Sequence, residues 1–114
     1  MMTEISVGLL EGRTISLSAA GHSGYSEKGQ DIVCAGVSAL VQALLYGFET
    51  VLRVEGLTIE IDDERAVISI DWRNCTSGDM DILVETIVGS LKKIAGEYPD
   101  HVRILEVHPD EVEF

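Results

Sequence analysis

Residues 4–22, EISVGLLEGRTISLSAAGH, alternate apolar and polar side chains on both sides of Glu11 and Gly12. Because successive side chains of a β-strand point to opposite faces, a period of two is typical of a strand with one buried face. The apolar set comprises Ile5, Val7 and Leu9 before the turn, and Ile15 and Leu17 after it. This segment therefore predicts a β-hairpin whose apolar face needs a second layer to cover it.

A helical period follows in residues 32–56, IVCAGVSALVQALLYGFETVLRVEG. Its larger apolar side chains recur every three or four residues, which is typical of an amphipathic helix. They are Val33, Val37, Leu40 or Val41, Leu44, Phe48 and Leu52. Asp31 is predicted to cap the amino terminus of this helix, and Gly56 to end it.

A second hairpin and a second helix come next. Residues 57–72, LTIEIDDERAVISIDW, alternate on both sides of a turn at 62–65. Residues 77–99 predict the helix, and residues 101–108, HVRILEVH, predict a last strand. The helix is expected to bury one face made of Ile82, Ile87, Leu91 and Ile94.

The element order ββαββαβ limits the fold class. A chain of 114 residues that is 46% hydrophobic is the size of one domain with an adequate core. We expect an α/β (α+β) fold, with residues 1–114 forming a single compact domain. One mixed or antiparallel sheet carrying two helices is the simplest arrangement of these elements.

The charge balance restricts the partners. Eight Lys and Arg against twenty Asp and Glu give a formal net charge of −12. Such a surface repels phosphate backbones, so no direct binding of nucleic acid is expected. An acidic surface favours a basic partner, although acidic faces also serve solubility alone.

The compartment is expected to be the cytoplasm. The start of the chain, MMTEISVGLLEG, lacks the basic lead and unbroken apolar run of a secretory signal. The most apolar stretch, residues 32–54, is interrupted by Gln42, Glu49 and Arg53, which argues against a membrane span. Without export, Cys34 and Cys75 are expected to be free thiols.

Cys34 and His22 are the residues whose spacing suggests chemistry. Cys34 is predicted about one turn into the first helix, where the helix dipole and free N–H groups stabilise a thiolate. His22 lies in a glycine-rich loop that could fold back onto the sulfur, while N–H groups around Cys34 could receive an oxyanion. A cysteine packed in the core and a solvated histidine are the alternative. No metal site or other cofactor is predicted, because neither zinc-ligand spacing nor a phosphate-binding motif is present.

The segment GHSGYSEKGQDIVCAGVSAL, residues 21–40, resembles the signature of the ribosomal-processing cysteine proteases, the Prp family. That signature runs G-H-[AS]-G-Y, then a short variable stretch, then D-I-V-C-A with V-S-A-L beyond it. The order of elements and the length of the chain are also similar to that family. This chain differs from the pattern only in polar choices at variable loop positions.

The resemblance implies that Cys34 is the nucleophile and His22 its partner in a catalytic dyad, with Asp31 in an orienting or capping role. It also implies a homodimer that removes an N-terminal extension from a large-subunit ribosomal protein. The substrate would be basic, and its processing would support ribosome assembly. The expected substrate contacts near the dyad are Gly21, Ser23, Gly24, Tyr25 and Ser38.

Two other functions remain open from the residues. The chain could be a dimeric, ribosome-associated module that binds a basic peptide without hydrolysing it. It could also be a thiol switch that uses Cys34 and Cys75, although the absence of a C-x-x-C motif argues against this. Cys75, in RNCTSG, is otherwise interpreted as an inert turn residue.

Overall fold

The fold is built from two hairpins, two helices and a final strand. The computed structural model describes residues 2–21, 28–75 and 78–108, and only the backbone of 28–31. The strands are β1 (Thr3–Leu10), β2 (Arg13–Ala20), β3 (Thr58–Asp62), β4 (Val67–Asp71) and β5 (Val102–Val107). The helices are α1 (Lys28–Tyr46), which continues into a π-helical turn at Gly47–Val51, and α2 (Met80–Glu97). The expected order ββαββαβ is confirmed.

The five strands form one mixed sheet in the order β3-β4-β2-β1-β5. Both hairpins pair antiparallel, and β2 also pairs antiparallel with β4. The β1–β2 turn has Glu11 and Gly12 at φ 53° and 81°, the left-handed pair that a two-residue hairpin turn requires. β5 returns beside β1 in parallel, because α2 carries the chain across the sheet before it.

Both helices cover the same face of the sheet. The register places Ile5 opposite Ala19, and Val7 opposite Leu17, so the alternate apolar residues of the first hairpin share one face. These side chains join the buried residues of α1 and α2 in one hydrophobic cluster. Phe48 and Trp72 are both fully buried in it, with ring centroids 5.1 Å apart. The α/β (α+β) fold with a single mixed sheet and two helices is confirmed.

Two local predictions were wrong. α1 begins at Lys28, so Asp31 lies inside its first turn and is not the N-cap. Ile82 is 68% exposed, whereas the buried face of α2 consists of Met80, Val84, Ile87, Val88 and Leu91. Ile82 precedes Ile87 by five residues, a rotation of about 140° away from that face at 3.6 residues per turn.

The first helix is more apolar than its polar interruptions suggested. By length and composition, Ile32–Val51, with a mean hydropathy of 1.6, would be sufficient for a membrane span, contrary to the expectation from Gln42 and Glu49. In the fold, α1 buries Val33, Val37, Val41 and Leu44 in the cluster under the sheet. Only 33% of this window is buried in the fold, so the packing accounts for part of its hydropathy.

Candidate active site

Cys34 lies where α1 crosses the start of β1. It is half-buried, and its Sγ is 3.2 Å from Oγ1 of Thr3, the first residue of β1. Thr3 itself is only 5% exposed. A hydroxyl and a thiol from segments 31 residues apart are therefore in hydrogen-bond contact at the edge of the core.

The position of Cys34 in α1 changes one expectation. Because the helix begins at Lys28, Cys34 is its seventh residue rather than lying about one turn in. In an α-helix only the first four N–H groups lack a partner within the helix. The N–H groups of Cys34 and Ala35 are therefore used inside the helix. That N–H groups around Cys34 receive an oxyanion stays a prediction. The dipole effect is also concentrated in the first turn.

A groove of about 840 Å³ runs along α1 and has Cys34 in its lining. Cys34, Ser38, Gln42 and Tyr46 form its helical wall. The opposite wall comes from the β3–β4 hairpin and includes Ile61 and Ile68. At 1.5 Å per helical residue, the wall from Cys34 to Thr50 is roughly 24 Å long, the span of about seven residues of extended chain.

The lining of this groove also contains acidic residues. They are Glu49, Asp62 and Asp63, of which Glu49 and Asp63 are exposed. Asp62 has a structural role as well, since its Oδ1 accepts hydrogen bonds from the N–H groups of Glu64 and Arg65 in the hairpin turn. The groove thus combines a thiol, apolar walls and carboxylates in one lining.

Of the predicted site residues, Gly21, Cys34 and Ser38 line this one groove. His22, Ser23, Gly24 and Tyr25 lie outside the described residues, as does the side chain of Asp31. The pairing of Cys34 with His22 stays a prediction. Gly21 precedes His22 directly, and its N–H donates to the carbonyl of Ala66 at 3.1 Å. The chain therefore leaves β2 beside the cysteine.

Sequence reasoning missed Thr3 and the acidic residues of the groove. The strand alternation did carry a signal for Thr3, because residue 3 lies two positions before Ile5 and so shares its buried face. A polar residue at a position that the pattern predicts to be buried needs a partner, and here that partner is Cys34. No local pattern indicates that the 62–63 turn meets α1.

Cys75 occupies a different environment. It is also a free thiol, but it is 1% exposed and belongs to the hydrophobic cluster. Burial, and secondly the nearby carboxylate of Asp71, raise the pKa of the Cys75 thiol, while the Arg13 guanidinium opposes them. A buried neutral thiol is a poor nucleophile, which agrees with the interpretation of Cys75 as inert. Within the part of the chain that the structure describes, no three His, Cys, Asp or Glu residues are grouped to hold a metal ion.

Comparison with known proteins identifies the family. The sequence model of the family described as cysteine protease Prp matches residues 2–103. The ribosomal processing cysteine protease Prp of Staphylococcus aureus (strain NCTC 8325 / PS 47) is 30% identical over 99 residues, covering 82% of this chain and 88% of the relative. Its namesake from Mycoplasma genitalium is 34% identical over 91 residues, covering 79% and 86%.

Solved structures show the same fold. A Streptococcus mutans protein superposes with a TM-score of 0.85 at 24% identity, covering 94% of this chain and 95% of that one. The S. aureus ribosomal processing protease Prp in complex with a substrate peptide gives 0.83 at 22% identity, covering 93% and 100%. The family match extends over nearly the whole described sheet and both helices, and it includes Cys34. This chain therefore belongs to the Prp family of cysteine proteases.

Proposed function

We propose that this cysteine protease is the endopeptidase that removes an N-terminal extension from a large-subunit ribosomal protein, and that it thereby supports ribosome assembly. The observation that carries the proposal is the Cys34 thiol in the lining of a long groove with apolar walls and three carboxylates. An extended, basic peptide matches such a groove in shape and charge. The name of the S. aureus and Mycoplasma relatives, ribosomal processing cysteine protease, supports this substrate class.

The proposed chemistry uses a Cys34–His22 dyad. The Cys34 thiolate attacks the scissile carbonyl carbon and forms a tetrahedral oxyanion. This intermediate collapses to a thioester as the C–N bond breaks, and His22 gives its proton to the departing amine. His22 then takes a proton from water, which attacks the thioester and releases the carboxylic acid and Cys34. The cycle consumes one water molecule, releases two peptide products and returns Cys34 and His22 to their starting protonation states.

The residues around the dyad are assigned to binding and orientation. Gly21 and Ser38, both in the groove lining, and Ser23, Gly24 and Tyr25, which flank His22 in sequence, are proposed to contact the peptide. Asp31 is proposed to orient the dyad from the first turn of α1 rather than to cap the helix. A cytoplasmic homodimer without contact to membrane or nucleic acid completes the proposal.

The test is cleavage of a peptide that spans the extension of the host's ribosomal protein, followed by mass spectrometry. Wild type and Cys75→Ala are expected to make one cut, whereas Cys34→Ala and His22→Ala are expected to make none. Because Cys75→Ala removes the other thiol, it controls for loss of a cysteine as such. Peptide binding without a cut in all four proteins would replace the protease with the peptide-binding module. Loss of cleavage in Cys75→Ala, with a reversible Cys34–Cys75 disulfide in wild type, would favour the thiol switch.

A further inference from the structure

We propose that the Thr3 hydroxyl is a positioning group for the nucleophile: it donates its hydrogen to Sγ of Cys34 and holds the sulfur in place for attack. The inference rests on the proposed function only in taking Cys34 as the nucleophile. It concerns a residue outside the motif of residues 21–40, 31 positions before the cysteine.

The hydroxyl is held by the sheet and not by the helix that carries the sulfur. Oγ1 of Thr3 lies 3.2 Å from Sγ. The N–H of Thr3 donates to the carbonyl of His101 at 2.8 Å, and Thr3 pairs with Val102 in the parallel β1–β5 ladder. Backbone pairing of this kind fixes Cα and Cβ of Thr3, so its hydroxyl is a rigid reference for the cysteine above it.

Gly21 leaves room for the Thr3 side chain. The ladder between β1 and β2 ends at Glu4 and Ala20, and Gly21 is the residue that follows β2. A Cβ on residue 21 would lie 3.0 Å from Oγ1 and 3.3 Å from Cγ2 of Thr3, closer than most real contacts. A residue larger than glycine would therefore press on the threonine. The branched Cβ of Thr3 limits χ1, which restricts its freedom to turn away from Cys34.

The ionisation state of the sulfur decides the direction of this hydrogen bond. A thiol is both a weak donor and a weak acceptor, whereas a thiolate can only accept. The Thr3 hydroxyl must donate in the ionised state, and a bond to a charged acceptor is the stronger one. Since Cys34 is the seventh residue of α1, this donor acts where the free N–H groups of the helix start do not.

The experiment compares Thr3→Val, which keeps the shape and removes the hydroxyl, with Thr3→Ser, which keeps the hydroxyl. In the full chain, the alkylation rate of Cys34 by iodoacetamide is followed against pH by peptide mass spectrometry, beside kcat and KM for the extension peptide. Thr3→Val is expected to slow alkylation of Cys34 at every pH and to lower kcat roughly tenfold, with KM near wild type, because the sulfur loses its fixed position. Thr3→Ser is expected to stay near wild type in both.

Other titratable groups near Thr3 are the same in these variants. They are His101 and the Glu4–Arg103 ion pair on β1 and β5, and the carboxylates of the groove, with His22 and Asp31 preceding Cys34 in sequence. Slower alkylation in Thr3→Val that is absent from Thr3→Ser therefore reports the hydroxyl. Thr3→Ala provides a second variant without the hydroxyl if the valine protein does not fold, as judged by circular dichroism.

The outcomes separate this inference from the proposed function. An unchanged alkylation rate in folded Thr3→Val overturns the role of Thr3, whatever the peptide assay shows. Slower alkylation of Thr3→Val, restored in Thr3→Ser, in a protein that cuts no peptide supports the role of Thr3 and counts against the ribosomal substrate instead.

Discussion

Gly21 lies so close to Thr3 that a Cβ on residue 21 would be 3.0 Å from the threonine Oγ1. The same oxygen is 3.2 Å from Sγ of Cys34, so a methyl group at position 21 would press on the hydroxyl that contacts the thiol. A displacement of Thr3 would be transmitted to Cys34, because packed side chains have few alternative positions.

Gly21→Ala is therefore expected to displace Thr3 by a few tenths of an ångström and to slow alkylation of Cys34 roughly threefold, since reactivity depends steeply on position. Stopped-flow or quenched alkylation with mass spectrometry measures this rate. Gly89→Ala is the matched control, because a Cβ there meets no atom within 4 Å. In a Thr3→Ala background the alanine at 21 has room, and it should then have no further effect. An equal slowing in both backgrounds would assign the effect to the loop that follows Gly21.

The buried thiol of Cys75 predicts a stability change at alkaline pH. Burial and the Asp71 carboxylate raise the pKa of Cys75 in the folded protein, so the unfolded chain loses this proton first as the pH rises. The buried, protonated thiol contributes fully to the free energy of unfolding below the pKa of Cys75 in the unfolded chain. This contribution is lost as the pH rises toward the higher pKa of Cys75 in the folded protein. Urea unfolding from pH 7 to 10 should show the free energy of unfolding of wild type falling, relative to Cys75→Ala, from about pH 8.5 upward. A difference that is independent of pH would contradict the raised pKa.

Gly47 and Gly89 predict opposite effects of the same substitution. A Cβ on Gly47 would lie 2.5 Å from Cδ2 of Leu83, where α1 passes into its π-helical turn, so Gly47→Ala must displace the leucine. Overpacking of this kind costs about 1–3 kcal/mol. Gly89→Ala has open space and should instead stabilise α2 by about 0.5–1 kcal/mol. Thermal or urea unfolding measures both.

A double variant checks the cause. Leu83→Ala removes the side chain that Gly47→Ala displaces, so the second substitution should cost much less in that background than in wild type. Equal costs in the two backgrounds would show that the conformation of the π-helical turn, and not the contact with Leu83, requires the glycine.

The elements of this fold could be predicted because their signals are local. The alternation around Glu11 and Gly12 identifies a hairpin, and the left-handed φ values of both residues agree with it. The parallel return of β5 beside β1 depends on residues about 100 positions apart, which no local period specifies. The start of α1 was missed for a related reason. A favourable N-cap such as Asp31 contributes only about 1 kcal/mol, which the surrounding chain can override.

The active-site prediction has the same limit. The motif around DIVCA identifies Cys34 without any structure, and the groove includes it. Thr3 reaches the sulfur only because β1 lies under α1, and Asp63 reaches the same groove only because the β3–β4 turn is folded beside that helix. Residues that meet only through tertiary contacts have no characteristic spacing in the sequence, so no motif identifies them. His22, which the motif does specify, remains a prediction in its pairing with Cys34.

The carboxylates in the groove lining predict how a basic substrate is bound. Glu49 and Asp63 are exposed groove residues, whereas Asp62 holds the hairpin turn and is left unchanged. The double variant Glu49→Gln and Asp63→Asn should raise KM for a basic extension peptide roughly fivefold, because exposed pairs contribute up to about 1 kcal/mol each. Because neither carboxylate takes part in the bond-making steps, kcat should stay near wild type.

A matched control distinguishes attraction of the peptide by the groove carboxylates from attraction by the net charge of the protein. Glu85→Gln and Glu97→Gln remove the same number of charges from exposed positions on α2 that do not line the groove. If Glu49 and Asp63 bind the peptide, only the groove variant raises KM. The KM of that variant should also depend less on salt concentration than the KM of wild type, since fewer charges remain to be screened. An equal rise in both double variants would mean that the net charge of −12 attracts the substrate as a whole and that the groove carboxylates have no special part in binding.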